Sequence, residues 1–187
     1  MIKIGITGSI ASGKTTVARI LAGRKYPLFD ADNEVRKIYK TNSFKDKVYK
    51  KFNLVNKKNI KEKIKKIIYN DKKNLKKLEK IIHPIVRKKI KNFSKKNKNK
   101  KILIFEIPLL IESKLVKNFD KIIFVNSKKK LRLKRYLKRG KNKKIFNLLD
   151  KRQLQPVKKI KFSNYLINNN NSLKLLKKNV KIIRDNL

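Results

Sequence analysis

Cysteine is absent from this chain of 187 residues, histidine occurs once, and glycine only five times. Without cysteine there is no disulfide scaffold, no thiolate-ligated zinc, no Fe–S cluster and no thiol nucleophile. A single histidine excludes a poly-histidine metal site. No apolar run approaches the roughly 18 residues that would span a membrane. The chain enters a strand-like segment at Ile2 with no charged-then-apolar leader before it. A soluble, cytoplasmic protein is the expectation. Acidic residues are also scarce, with 12 Asp and Glu against 56 Lys and Arg, a formal net charge of +44.

Such charge ordinarily points to nucleic acid or another polyanion. Here it comes from 47 Lys against 9 Arg, and Lys, Asn and Ile together make up about half of the chain. Those three share A- and T-rich codons, so base composition is a sufficient account. Dedicated nucleic-acid readers use Arg forks and patterned aromatics, whereas Lys here is scattered over every polar face, most densely in residues 51–100. The charge therefore predicts nonspecific nucleic-acid binding that salt removes. It does not predict a function.

Short buried strands alternate with helices. Ile2–Thr7, Tyr26–Phe29, Ile102–Ile107, Lys121–Val125 and Asn164–Ile167 read as strands. Thr15–Leu21, Lys128–Lys138 and Leu173–Val180 read as helices, and the pattern from Glu34 to about Phe93 is helical throughout. In the 128–138 helix the apolar positions are Leu131, Leu133 and Leu137. This alternation predicts an α/β fold with a parallel sheet of about five strands between helical layers. Two insertions interrupt it, a helical block near 40–95 and a basic segment near 138–161. Neither has linker composition at both ends, so the expectation is a single domain over 1–187 carrying both as subdomains.

Gly8-Ser9-Ile10-Ala11-Ser12-Gly13-Lys14-Thr15 matches G-x-x-x-x-G-K-[ST] in full, between a strand and a helix as its mechanism requires. Gly8 and Gly13 permit the backbone to turn successive N–H groups, including those of Ala11 and Ser12, around phosphate oxygens. The helix beginning near Lys14 adds its positive end. Lys14 is placed for the β- and γ-phosphates, Thr15 for Mg²⁺, and Thr16 for the α-phosphate. The motif thus predicts binding of a nucleoside triphosphate with Mg²⁺, and by itself fits a GTPase, an ATPase or a small-molecule kinase alike.

A GTPase would carry an N/T-K-x-D element, and no such string occurs. Asp30-Ala31-Asp32 closes the second strand. A carboxylate there can orient an attacking hydroxyl or hold Mg²⁺, while a helix N-cap before Asn33 is the structural alternative. Glu106 near the end of the third strand suits an acid that reaches Mg²⁺ through water. Arg139 beside Gly140 suits a lid with a donor fork and a hinge, while a solvated basic helix is the alternative for Arg135 and Arg139.

With these residues in view, the chain resembles the dephospho-CoA kinase family. The resemblance rests on Gly5-Ile6-Thr7-Gly8, the cradle and Asp30-Ala31-Asp32. Leu78-Glu79, His83-Pro84, Pro108-Leu109-Leu110-Ile111-Glu112, Arg135, Arg139, Gln153 and Asn169 then follow in family order. It spans residues 2 to about 180. It implies a P-loop NTPase three-layer sandwich with a helical substrate-binding insertion and a lid. The implied reaction is phosphorylation of the ribose 3′-hydroxyl of dephospho-CoA by ATP, giving CoA and ADP, the last step of CoA biosynthesis.

On this resemblance Asp32 orients the hydroxyl and accepts its proton, and Lys14 and Arg139 are the catalytic cations, with Arg135 on the substrate side. His83 and Glu112 border the CoA-side pocket, where packing roles are their alternative. The chain departs from the family pattern at Ser9 and Ala11, where glycines are usual, at Lys61 and Asn164, which replace Arg and Asp, and at Gly140, which replaces Asp. Two competing readings are a nucleic-acid-binding P-loop NTPase and another small-metabolite or nucleoside monophosphate kinase.

Overall fold

The computed structural model describes residues 1–56, 58–71 and 73–187, with the side chain of residue 70 left aside. Residues 57 and 72, both within the stretch expected to be helical, lie outside the described residues. The chain forms two compact units, Met1–Asp30 with Asn97–Leu187, and Ala31–Lys96.

The first unit is built on β1 (Ile2–Gly8), β2 (Leu28–Asp30), β3 (Ile102–Glu106), β4 (Lys121–Asn126) and β5 (Tyr165–Asn168). They form one parallel sheet in the order β2-β3-β1-β4-β5. β3 is buried at every position, as expected of a parallel strand covered on both faces. On one face α1 (Lys14–Ala22) and α9 (Leu173–Asp185) bring Val17, Leu21, Leu176 and Val180 against Ile4 and Ile123. Full burial of each such side chain contributes about 1.5–3 kcal/mol. α9 starts at Ser172, whose hydroxyl caps the Leu175 N–H.

The opposite face carries an aromatic row, with Phe105 between Phe29 (5.8 Å) and Phe119 (5.2 Å). A Cβ at Gly5 would lie 2.5 Å from a Leu110 methyl. Gly5 thereby lets the loop after β3 settle onto β1. α6 (Lys129–Leu137), α7 (Lys143–Arg152) and the short α8 (Pro156–Ile160) complete this unit.

Three details differ from the sequence pattern. The second strand begins at Leu28 because the Tyr26 N–H is already bound to the Ala22 carbonyl. In α6 the buried residue is Arg132, and Leu137 is 44% exposed. Leu131 and Leu133 are half-buried. Asn164 serves the sheet as an aspartate would, its Oδ1 accepting the Ile122 N–H at 2.8 Å.

The second unit consists of α2 (Ala31–Ile38), α3 (Asn42–Lys51), α4 (Ile60–Asn70) and α5 (Lys73–Lys96). The continuous helical pattern is thus divided. Thr41 caps α3 through the Phe44 N–H, and Asp71 stands extended at the end of α4. Ala31, Ile38, Phe44, Val48, Leu78, Val86 and Ile90 are its buried apolar residues on α2, α3 and α5. Glu34 on α2 pairs with Lys37 (2.7 Å) and with Lys89 of α5 (2.9 Å).

Candidate active site

β1 ends at Gly8 and α1 begins at Lys14, so the five residues between them form a tight loop at the carboxyl edge of the sheet. That edge is where open parallel sheets bind ligands. A Cβ at Gly8 would stand 2.6 Å from the Val125 carbonyl oxygen. Gly13 has φ 95°, and a Cβ there would collide with the Asn169 amide. Both glycines are therefore required sterically, as the motif predicts. Ala11, at φ 57°, holds a left-handed conformation without being glycine. Ser9 and Ser12 are buried, and Ser12 N–H closes onto the Ser9 carbonyl at 3.1 Å. Lys14, Thr15 and Thr16 open α1, with Thr16 the most exposed.

The Thr15 hydroxyl donates to Glu106 Oε1 at 2.6 Å. Glu106 is buried at the last position of β3, and its register partner on β2 is Asp30. Strand pairing alone thus sets two carboxylate residues side by side next to the cradle's hydroxyl. Oxygen donors of this kind suit Mg²⁺, which takes few protein ligands and completes its shell with water and phosphate. No group of three or more His, Asp or Glu that could hold a metal exists among the described residues.

On the other side of the loop the Asn169 amide donates to the Ser12 carbonyl (2.8 Å), and the Asn169 carbonyl accepts from Arg135 (3.0 Å). Arg135 also donates to the Ser127 hydroxyl at 3.1 Å. Burial, and then repulsion by Arg139, hold the Arg135 guanidinium below the usual arginine range. Arg139, one helical turn beyond, is exposed just past α6. Two guanidiniums that repel one another are stabilised by an anion placed near both.

Glu112 lies in the loop after β3. Its Oε1 accepts the Leu154 N–H at 3.1 Å and pairs with the ammonium of Lys159 at 2.7 Å. Lys159 is completely buried. Glu112 thus fastens the segment between α7 and α8 to the loop after β3. In the second unit, Asp32 is exposed in the first turn of α2, two residues beyond the end of β2. His83 is half-buried on α5 immediately before Pro84.

Residues 2–174 match the dephospho-CoA kinase (CoaE) family profile. The chain belongs to the dephospho-CoA kinase family. It is 38% identical over 185 residues to the dephospho-CoA kinase of Fusobacterium nucleatum, covering 95% of this chain and 94% of that one. Among solved structures, the dephospho-CoA kinase from Campylobacter jejuni superposes with a TM-score of 0.70 at 30% identity, covering 98% of this chain and 96% of that one. TT1252 from Thermus thermophilus superposes at 0.85 with 26% identity, covering 100% and 97%. The activity is that of a dephospho-CoA kinase, the final step of CoA biosynthesis, with ATP as phosphoryl donor. No described helix is long and apolar enough to cross a membrane.

Three residues of this dephospho-CoA kinase that the sequence pattern does not single out stand close to the site. Lys159 is indistinguishable from its many lysine neighbours. Arg132 is masked by the leucines on either side. Asp150 carried a usable signal, since it is the only acid between Asp120 and Asp185. An acid isolated in so basic a stretch has a buried cation to meet, and it meets Arg132 at 2.6 Å.

Proposed function

We propose that phosphoryl transfer to dephospho-CoA is carried out by the cradle of residues 8–16, Glu106, Arg135, Arg139 and Asp32. The observation that carries this reading is the 2.6 Å bond between Thr15 and Glu106, which joins the cradle to the acid at the end of β3. Ala11, Ser12, Gly13 and Thr16 enclose the ATP phosphates with their backbone groups, and Lys14 neutralises the β- and γ-phosphates. Thr15 would hold Mg²⁺, with Glu106 behind it as the acid that reaches the ion through water, and the ion would supply charge neutralisation on the phosphate oxygens.

Asp32 orients the ribose 3′-hydroxyl. The 3′-oxygen bonds to the γ-phosphorus as the bond from phosphorus to the β,γ-bridging oxygen breaks, and ADP leaves with that electron pair. The hydroxyl pKa lies far above that of a carboxylate, so its proton passes to Asp32 only as the new O–P bond forms. Arg139, with Arg135 behind it, stabilises the equatorial oxygens of the group in flight. The family resemblance assigns His83 to acceptor binding, and Glu112 supports the segment after α7 through Leu154 and Lys159. The reading places the enzyme in the cytoplasm.

The test is a coupled ADP-release assay with ATP, Mg²⁺ and dephospho-CoA, with the product's mass checked. ADP release together with a product one phosphate heavier is expected. Asp32→Asn should lower kcat by about 10²–10⁴-fold while ATP affinity stays within about threefold. An Asp32→Asn enzyme with unchanged kcat would remove that residue from the mechanism. Transfer to a nucleoside monophosphate and none to dephospho-CoA would reverse the choice of acceptor.

A further inference from the structure

Ile10 is gripped at both ends of its backbone by side chains from outside the cradle. Its N–H donates to Gln153 Oε1 at 2.8 Å, and its carbonyl lies 3.4 Å from an Arg132 guanidinium nitrogen. Gln153 follows the last residue of α7, and Arg132 is the one buried residue of α6. The same Arg132 nitrogen binds Asp150 Oδ1 at 2.6 Å, its Nε donates to the Ser127 carbonyl at 3.0 Å, and its plane lies 5.6 Å from the Phe146 ring. Asp150 also faces Lys129 at 3.5 Å. The guanidinium is thus fixed on three sides before it reaches Ile10.

The residue next to this clamp is Ala11, whose positive φ is disfavoured for any residue with a Cβ. A loop with Ala there gains less from its own backbone preference and has to be held by its surroundings.

We propose that Gln153 and Arg132, the latter aligned by Asp150, are positioning residues that clamp the Ile10 peptide and so hold Ala11 in the conformation the nucleotide requires. This rests on the cradle being the ATP site. None of the three side chains needs to touch the nucleotide; their effect passes through the orientation of the Ile10–Ala11 backbone. Gln153 is only half-buried and lines an open cavity with Ser9 and Leu154. Replacing it leaves the core intact, whereas disrupting the buried Arg132–Asp150 pair puts folding at risk.

The experiment measures MgATP affinity by calorimetry, with steady-state constants, on the full chain and on Gln153→Leu, Ala11→Gly and the double variant. Gln153→Leu is expected to weaken ATP binding and raise KM for ATP by about tenfold, the loss of one well-made hydrogen bond. The KM for dephospho-CoA and kcat should stay within about twofold, and the thermal midpoint should not move, which a merely structural role would not produce. In the Ala11→Gly background the same substitution is expected to cost about threefold or less. Arg132→Lys keeps the charge facing Asp150 but lacks the fork that spans the Ser127 and Ile10 carbonyls. It is expected to raise KM for ATP alone by several-fold. Unchanged ATP affinity in Gln153→Leu, or an equal loss in both backgrounds, overturns the clamp. A wild-type protein that binds no MgATP overturns the cradle's role and the clamp together.

Discussion

Asn169 occupies the space that a side chain at Gly13 would need, and from there its amide donates to the Ser12 carbonyl at 2.8 Å. The residue that follows the last strand thereby closes over the loop that follows the first. Gly13→Ala combines a disfavoured φ with a collision. It should raise KM for ATP at least about tenfold, and pairing it with Asn169→Ala should recover part of that loss. Steady-state kinetics on the two single variants and the double variant decide this. A double variant no better than Gly13→Ala would show that backbone conformation alone matters.

Glu106→Gln keeps an oxygen that can accept from Thr15 and removes the charge. If Glu106 serves Mg²⁺, kcat should fall about 10²–10³-fold and the Mg²⁺ concentration for half-maximal rate should rise. The thermal midpoint should shift little. A Mg²⁺ titration of the variant that overlays the wild type would exclude the role.

Lys159 and Glu112 form a pair in which one partner is wholly buried. Lys159→Met strands the carboxylate and should cost about 3–5 kcal/mol of stability. Adding Glu112→Gln removes the stranded charge while keeping an acceptor for Leu154, so at least half of that loss should return. Urea unfolding of the three variants provides the measurement, and additive losses would contradict the coupling.

The hydrogen bond from Lys37, opposed by burial and reinforced by Lys89, holds the Glu34 carboxyl below the usual glutamate range. A carboxyl depressed in the folded state contributes stability that is fully present above its unfolded value of about 4.5 and is lost as pH falls through the lower folded value. Glu34→Gln should therefore cost about 1 kcal/mol near neutrality and nothing once pH has fallen below the folded value. Thermal unfolding at pH 7 and at decreasing acidic pH tests this, and a pH-independent difference would refute it.

The cradle was legible because its logic is local: a strand, a loop with glycines at the two crowded positions, and a helix all follow one another in the chain. Glu106 was legible for a related reason, since an acid ending an apolar strand in a parallel sheet falls at the ligand edge. The clamp on Ile10 was not, because Gln153 lies 143 residues away from it in sequence and nothing local marks a glutamine as a backbone acceptor. Arg132 was hidden by a different effect. Hydrophobic periodicity assigns arginine to the solvent face, and only the distant Asp150 and Phe146 make its burial favourable. The divisions among α2 to α5 rest on capping at Thr41 and extended backbone at Asp71, signals that a strong apolar repeat overwhelms.

The position of β1 has a consequence for the birth of the protein. Both strands that flank β1 come from residues beyond Lys101, so as the chain leaves the ribosome the apolar segment of β1 waits while about a hundred residues are made. At ordinary elongation rates that wait lasts on the order of 5–20 s. During it Ile2, Ile4 and Ile6 have no sheet to join, and a chain rich in isoleucine is exposed to its own copies on neighbouring nascent chains. The lysines distributed along the same stretch give every such copy a like charge, so they act as gatekeepers until β3 arrives.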